Sequence, residues 1–317
     1  MRLNPLKIVF ANMLYDYGEP ARGYSLEMVL YDQLHRMGHR LVPFHYDVLL
    51  HEFGKEKMNA MLLELVHKEK PDVLFTILSE NQFDPMIINE ISHRTDTVTF
   101  NLCADDHWRF AYSSSWAQHF NWMVTTYAGA IQQYHQIGYS NVIHSQWGFN
   151  PAIHRKINIE KIYDVSFVGM PHGNRVEILQ QLVDTGIGVH VWGSGWSTGR
   201  VSLEEMVKIF NQTKINLNLS RCSSADLLQI KARDFEVPGC GGLLMSGYNP
   251  ELASYYEFGK EIETYRDVKE LIEKIQYYLL HEEERKRIAA AGHMRAVEEH
   301  SYKQRFVDIF RKMGLAD

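Results

Sequence analysis

The sequence predicts an α/β protein with two tandem Rossmann-like domains that face each other across a cleft. Short β-rich runs alternate with amphipathic helical stretches along nearly the whole chain, and parallel strands require such helical crossovers. The alternation of predicted strands and helices is interrupted after residue 146 and resumes at residue 163. The chain of 317 residues is long enough for two domains of about 150 residues each.

The first half predicts six strands and four helices. The strands are predicted at residues 7–11, 39–44, 72–78, 97–103, 122–126 and 142–146. The helices are predicted at residues 25–37, 56–68, 85–93 and 128–136, and residues 109–116 could form a further short helix. Pro and charged residues follow from Trp147 onward, so this stretch is interpreted as a linker. The first domain is therefore predicted to span residues 1–157.

The second half repeats the pattern over residues 158–301, the second predicted domain. Strands are predicted at residues 163–169, 188–192, 214–219 and 242–246. Helices are predicted at residues 175–185, 203–213, 267–280, 282–291 and about 302–313. Ser202 and Glu205 have the spacing of a capping box at the start of one of them. In doubly wound folds the ligand binds at the carboxyl ends of the strands.

Composition excludes several classes of function. The net charge is −6 and the basic residues are scattered, so a nucleic-acid partner is not expected. No apolar run approaches the roughly 18 residues of a membrane span. The three cysteines, Cys103, Cys222 and Cys240, lie far apart, which predicts neither disulfides nor a Cys-x-x-Cys metal site. These observations predict a cytoplasmic protein without a transmembrane segment.

Two loops after predicted strands carry polar residues. Asp106 and His107 follow the strand at 97–103 and could supply a general base, although a carboxylate here could equally cap a short helix. Gly169 to Arg175 join a strand to a helix, where glycine, free N–H groups and Arg175 suit an anion. The run from Gly193 reads GxGxxxG instead of GxGxxG, so no nicotinamide or flavin cofactor is expected.

The segment RDFEVPGCGGLLMS, residues 233–246, is the most informative. Proline is tolerated in the first turn of a helix, so Pro238 predicts a helix that begins near Asp234 as N-cap. Glu236 would then lie in the first turn, where it could merely offset the helix dipole. The cations before it and the glycines after it favour a sugar nucleotide, with the carboxylate on the ribose and cations and N–H groups on the diphosphate.

Several stretches resemble one known family. The run KARDFEVPGCGGLLMS is joined by ELASYYEFGKEIETYRDVKELIEKIQYYL and ERKRIAAAGHMRAVEEHSYKQR, and upstream by DVSFVGMPHGNR, KINLNLS, CADDHWRF and NWMVTTYAGAIQQYHQIGYSNV. Together they resemble GT-B glycosyltransferases of the CgeB-like group, also described as spore maturation proteins or glycosyl transferases group 1. The resemblance covers nearly the whole chain. It implies that the terminal helix, about residues 302–317, packs back on the first domain.

The resemblance also implies roles for individual residues. Glu236 matches the acid that binds the donor ribose, and Leu228 stands where retaining relatives often have a second Glu, so retention or inversion stays open. If the reaction inverts, Asp106 or His107 would be the base. The remaining implied contacts are to the diphosphate (Arg175, Lys231, Arg233, Gly169, Gly241, Gly242), to the nucleotide side of the cleft (Asn216, Asn218, Ser220) and to acceptor or diphosphate (Tyr17, Arg22, Tyr24).

The predicted function is sugar transfer from a nucleoside diphosphate sugar, of the UDP type, without a metal or other cofactor. The acceptor could be a saccharide, a lipid-linked glycan or a protein. One alternative is a nucleotide-sugar epimerase or hydrolase of the same fold. The other is a non-catalytic sugar-nucleotide-binding protein of envelope or spore assembly.

Overall fold

A computed structural model describes residues 4–220 and 228–316. The chain forms two compact units, one of Met1–Gln146 with Lys303–Asp317 and one of Trp147–Tyr302. No helix among the described residues is long and apolar enough to cross a membrane.

The first unit is built on a parallel sheet of six strands in the order β2-β1-β3-β4-β5-β6. Its strands are β1 Lys7–Asn12, β2 Arg40–His45, β3 Val73–Thr76, β4 Val98–Cys103, β5 Trp122–Thr125 and β6 Val142–His144. Its helices are α1 Met28–Arg36, α2 Tyr46–Glu69, α3 Pro85–Arg94, α4 Asp106–Ala117 and α5 Ala128–Gln136. The inner strands β1, β3, β4 and β5 are mostly buried, as parallel sheets covered by helices require, whereas the edge strand β2 is mostly half-buried or exposed.

The second unit has a parallel sheet of five strands in the order β11-β10-β9-β7-β8. Its strands are β7 Tyr163–Val168, β8 Val189–Trp192, β9 Thr213–Asn218, β10 Leu243–Gly247 and β11 Glu263–Tyr265. The helices are α6 Arg175–Asp184, α7 Leu203–Gln212, α8 Arg233–Gly239, α9 Val268–Leu280 and α10 Glu282–Glu299, and the last helix of the chain, α11 Tyr302–Lys312, belongs almost entirely to the first unit.

The final helix α11 completes the core of the first unit. The Phe306 ring lies 5.9 Å from that of Phe75, edge to face, and the Phe310 ring lies 6.5 Å from that of Phe100. Phe75 and Phe100 stack on each other with centroids 4.3 Å apart. Aromatic pairs at such distances add to the stabilisation from burial, so the chain's last segment covers apolar surface of the first sheet.

The two parallel α/β sheets confirm the predicted fold class. Three elements differ from prediction. Helix α2 begins at Tyr46 and runs through a kink at Gly54, which has a φ of 77°. Strand β11 has only three residues and was not predicted. Helix α10 continues past Gly292 to Glu299. A Cβ at position 292 would lie 2.0 Å from the carbonyl oxygen of Glu261, so only glycine permits this close approach.

The predicted linker after Trp147 is wrong, since this segment is part of the second unit. Phe149 is buried at 1% exposure and pairs with Ser301 in a parallel bridge. The Asn211 side chain accepts from the Ile157 N–H at 2.7 Å and donates to the Arg155 carbonyl at 3.0 Å. These bonds tie residues 147–157 to α7, so the boundary falls after Gln146 and not after residue 157.

Candidate functional site at the carboxyl edge of the second sheet

Polar side chains gather where β7, β9 and β10 end. Asp234 lies at the start of α8 and is 1% exposed. It accepts hydrogen bonds from Asn218 Nδ2 at 2.7 Å, from Ser246 Oγ at 2.7 Å and from the Lys231 N–H at 2.8 Å. Burial raises the pKa of Asp234, although these bonds act in the opposite direction. This network fixes α8 against the ends of β9 and β10.

Glu236 lies two residues after Asp234 in α8, and Arg233 forms an ion pair with it. The Glu236 side chain is 4% exposed, and its Oε2 accepts from the Arg233 guanidinium. Arg233 Nε also donates to the Val168 carbonyl at 3.2 Å, and its guanidinium lies 5.4 Å from the centre of the Phe210 ring. The buried Glu236 carboxyl group is therefore paired and hydrogen-bonded, as burial of such a group requires.

His154 is a neighbour of Glu236 that the sequence interpretation missed. Its side chain is fully buried, and its Nε2 lies 3.5 Å from Glu236 Oε1. His154 belongs to the segment interpreted as a linker, far from Glu236 in sequence. No spacing rule could pair two residues whose contact depends on how residues 147–157 pack.

The start of α8 differs from its prediction. The helix begins at Arg233 with Ala232 as N-cap, and Pro238 lies in its last turn. Asp234 is thus inside the helix and is not its N-cap. The helix has only seven residues, so the backbone bond that Pro238 cannot donate is lost in a helix held mainly by tertiary contacts. Glu236 nevertheless lies near the helix start, as expected.

The glycines after Glu236 have a packing role, which corrects the predicted role of Gly241 and Gly242. A Cβ on Gly239 would lie 2.4 Å from the Phe149 ring, and one on Gly242 would lie 2.7 Å from Asn216 Nδ2. Gly241 has a φ of +73° and follows the helix as its left-handed residue. The N–H groups of Gly241 and Gly242 donate to the carbonyls of Pro238 and Val237, so neither is available to a diphosphate.

The polar residues of β9 also bond within the protein. Asn216 Oδ1 accepts from Ser166 at 3.1 Å and its Nδ2 donates to the Phe210 carbonyl at 3.3 Å. Asn218 donates to Asp234, as described above. Ser220 Oγ donates to the Gly247 carbonyl at 3.4 Å. All three residues are buried, and these bonds support the strand ends. Their predicted place beside the nucleotide stays a prediction.

Arg175 and the loop before it lie beside the same strand ends. The Arg175 guanidinium donates to the Met170 carbonyl at 2.9 Å and to the Leu219 carbonyl at 2.9 Å. It is half-buried over the Phe167 ring. The Gly169 N–H donates to Trp192, and its carbonyl accepts from the Trp196 indole at 2.7 Å. These hydrogen bonds hold Arg175 in a fixed position. Both the N–H and the carbonyl of Gly169 are already hydrogen-bonded within the protein.

Positive charge concentrates at this loop. Burial lowers the pKa of His172, and the nearby charges of Arg175 and Lys231 lower it further. Lys231 is half-buried and its ammonium contacts the side chain of Gln229. His172 is exposed, so an anion from solvent can approach the cluster. The arrangement of two cations beside the start of α6 suits a phosphate group.

The candidates of the first unit are less well placed. Asp106 is 1% exposed and accepts from the Tyr134 hydroxyl at 3.2 Å, and burial raises its pKa. A carboxylate turned into the core cannot deprotonate a hydroxyl in solvent, so Asp106 is corrected from base to buried hydrogen-bond acceptor. His107 is 9% exposed, with its ring edge toward Tyr127 at 6.3 Å. Its role as base stays a prediction.

The loop after β1 presents two aromatic side chains. Tyr17 and Tyr24 are 67% and 68% exposed. The Arg22 guanidinium lies 4.7 Å from the Tyr17 ring centre and forms an ion pair with Asp16 at 2.8 Å. The Tyr24 ring stacks on that of Tyr15. These residues lie together at the carboxyl edge of the first sheet and can contact a ligand there.

Glu27 is the acid of this edge that the sequence interpretation missed. It is half-buried, and one carboxyl oxygen accepts from the Met13 N–H at 3.1 Å. Burial raises the pKa of Glu27 to about 8, and the charges of Asp47 and Asp16 act in the same direction. An alternation pattern carries no signal for such a shift of the pKa, because it arises from burial and, to a smaller extent, from the charges of Asp47 in α2 and Asp16 in the loop after β1.

Residues 4–220 and 228–316 contain no group of three or more His, Cys, Asp or Glu side chains that could hold a metal ion. Cys103 and Cys240 are buried thiols, and Cys222 lies outside the described residues.

Comparison with known proteins finds a family model that matches part of the chain. Residues 175–311 match the model of the glycosyl transferase-like family, a region that holds Arg175, Lys231, Arg233 and Glu236. Spore protein CgeB of Bacillus subtilis is 24% identical over 202 residues, which cover 55% of this chain and 62% of that protein. The match thus spans less than two thirds of the length of this relative.

Solved structures share the fold over nearly the whole chain. The HepE protein of Anabaena in complex with UDP-glucose has a TM-score of 0.70 at 11% identity, covering 98% of this chain and 99% of that chain. Sucrose-phosphate synthase of Thermosynechococcus elongatus has a TM-score of 0.66 at 9% identity, covering 97% of both chains. The chain thus has the fold of GT-B glycosyltransferases, and residues 175–311 match a glycosyl transferase-like family model. The likeness to CgeB agrees with the resemblance that the motifs of the sequence predicted.

Proposed function

We propose that this protein transfers a sugar from a nucleoside diphosphate sugar, of the UDP type, to an acceptor. One observation carries the proposal: the buried Glu236–Arg233 pair lies at the same carboxyl edge of the second sheet as two further cations, Arg175 and Lys231. An ionised carboxylate suits ribose hydroxyls and the cations suit a diphosphate. HepE, which shares the fold, was solved with UDP-glucose, and this supports UDP as the carrier.

The chemistry assigned to these residues is stabilisation of a leaving group. Transfer breaks the bond between the anomeric carbon and the diphosphate, so negative charge grows on the diphosphate in the transition state. Arg175 and Lys231 would offset that charge, and the N–H groups at the start of α6 would add to them. We propose on this basis that the reaction needs no metal ion. The acceptor is proposed to be a saccharide, a lipid-linked glycan or a protein.

The cytoplasm is the proposed location. The two described cysteines, Cys103 and Cys240, are buried thiols without a disulfide, as is usual in a reducing compartment.

Incubation with a panel of nucleotide sugars tests the proposal. Binding is followed by the rise in melting temperature, because a ligand of the native state stabilises it by mass action, and turnover by release of the nucleotide. We expect UDP sugars to bind and UDP release to require an added acceptor. Release at the same rate without acceptor would favour an epimerase or hydrolase, and binding without turnover a non-catalytic protein. Absence of any nucleotide binding would overturn the proposal.

A further inference from the structure

The segment Trp147 to Ile157 places one imidazole beside the proposed ribose acid. Phe149 anchors this segment, since its ring fills the space left by Gly239 on α8 and its N–H donates to the His300 carbonyl at 3.2 Å. The turn that follows closes with a bond from the His154 N–H to the Asn150 carbonyl at 2.8 Å. His154 is therefore fixed at both its backbone and its ring.

The hydrogen bonds of His154 determine its tautomer. Its Nδ1 accepts from the Asn150 N–H at 3.2 Å, so Nδ1 carries no proton. Burial lowers the pKa of His154, although the charge of Glu236 acts in the opposite direction, so the ring is neutral near pH 7. A neutral imidazole carries its one proton on the other nitrogen. Nε2 therefore carries the proton and lies 3.5 Å from Glu236 Oε1, slightly farther than a hydrogen bond.

We propose that His154 is a positioning residue that fixes the Glu236 carboxylate for a vicinal diol such as that of ribose. The inference rests on the proposed function. Arg233 occupies Oε2 and His154 faces Oε1. A carboxylate has about four lone-pair sites, so one site on each oxygen remains for a ligand. Two O–H donors on adjacent carbons match two such sites on one carboxylate.

A neutral partner is better suited to this task than a second cation. Arg233 already balances the charge of Glu236, and another buried positive charge would be costly without its own counterion. His154 orients the carboxylate and leaves its charge for the ligand, so the acid keeps its strength as an acceptor.

The test uses isothermal titration calorimetry of the full chain with UDP and with 2′,3′-dideoxy-UDP, which lacks the diol. Two variants separate the ring nitrogens. His154→Asn can place an amide oxygen near the Nδ1 position and keep the bond from Asn150, but it cannot reach Glu236. His154→Gln can place an amide N–H near the Nε2 position. We expect His154→Asn to weaken UDP about tenfold and to leave dideoxy-UDP unchanged, whereas His154→Gln retains most of the preference for UDP.

Other outcomes separate this inference from the proposed function. If wild type binds UDP no better than dideoxy-UDP, or binds neither, the proposed function of Glu236 fails. If wild type prefers UDP and Glu236→Gln loses that preference while His154→Asn keeps it, the inference alone is overturned. Equal weakening of both nucleotides by His154→Asn would show a merely structural role and also overturn it. His281→Asn, at an exposed histidine, is the control for substitution itself.

Discussion

The two sheets end differently at their carboxyl edges. At the second sheet, Glu236 is buried but balanced by Arg233 and faced by His154. At the first sheet, Glu27 is bonded to a backbone N–H and has Asp47 and Asp16 as charged neighbours, which raise its pKa. One edge holds an acid that is paired with a cation, whereas the other holds an acid whose pKa burial raises to about 8. This difference supports the proposal that the second edge recognises the nucleotide.

The largest effect on UDP binding is expected from Glu236→Gln. The amide keeps the shape of the side chain but removes the charge that Arg233 balances and one of the acceptors proposed for the ribose. We expect UDP affinity to fall about a hundredfold, since hydrogen bonds to charged groups are worth roughly 1.5–3 kcal/mol. Calorimetry measures the change. Glu283→Gln, at a side chain 90% exposed, is the matched control. Equal UDP affinities for both variants would contradict the proposed difference between the two sheet edges.

Gly239→Ala tests whether the glycines pack or bind. The added Cβ would lie 2.4 Å from the Phe149 ring, so the second unit should lose about 2 kcal/mol of unfolding free energy through overpacking. Urea unfolding measures it. Gly188→Ala is the control, because nothing lies within 4 Å of its Cβ, and it should change stability by less than about 0.5 kcal/mol. Equal stabilities for both variants would refute the packing role.

Glu27→Gln tests the first edge through pH. The folded-state pKa of Glu27 is about 8 against an ordinary value of 4.5, so the folded state binds the proton more tightly. The stability due to this proton is present below pH 4.5 and is lost as the pH rises through about 8. Relative to wild type, Glu27→Gln should therefore gain up to about 4 kcal/mol between pH 5 and pH 8.

Urea unfolding at several pH values measures this gain. Glu19→Gln, at an exposed position of the same loop, should run parallel to wild type. If Glu27→Gln also ran parallel, Glu27 would titrate as an ordinary carboxylate and the contrast between the two edges would disappear.

The smallest effect is a change in the titration of His172. The charges of Arg175 and Lys231 contribute to its lowered pKa, so a bound diphosphate should offset them and raise that pKa by up to about one unit. An NMR titration of the histidine side chains with and without UDP measures the shift, with His281 as internal reference. An unchanged His172 at saturating UDP would place the diphosphate elsewhere.

Sequence periodicity was sufficient to predict every strand except the three-residue β11. It could not predict the contacts between segments that are distant in sequence. The strands were predictable because buried parallel strands are short apolar runs between helices. Glu236 and Arg175 were found because each lies beside a strand end with a recognisable local pattern. His154 was not, since its role depends on a segment that packs through Phe149 against Gly239. The same packing explains why the glycines resembled a phosphate loop in sequence.

Asp106 shows the opposite limit. The sequence predicted that Asp106 follows β4, but not that its side chain is buried. The side chain accepts a hydrogen bond from Tyr134, and the sequence does not show which face of α4 is buried. Sequence therefore located the strand ends more reliably than it identified which side chains face solvent there.

The central claim is that Glu236 and the cationic loop bind a nucleoside diphosphate. The crystal structure of the complex with UDP tests it most directly. We predict that the ribose hydroxyls lie within hydrogen-bond distance of the Glu236 carboxylate, with the diphosphate beside Arg175 and the start of α6. A UDP molecule bound with its ribose away from Glu236 would contradict the claim.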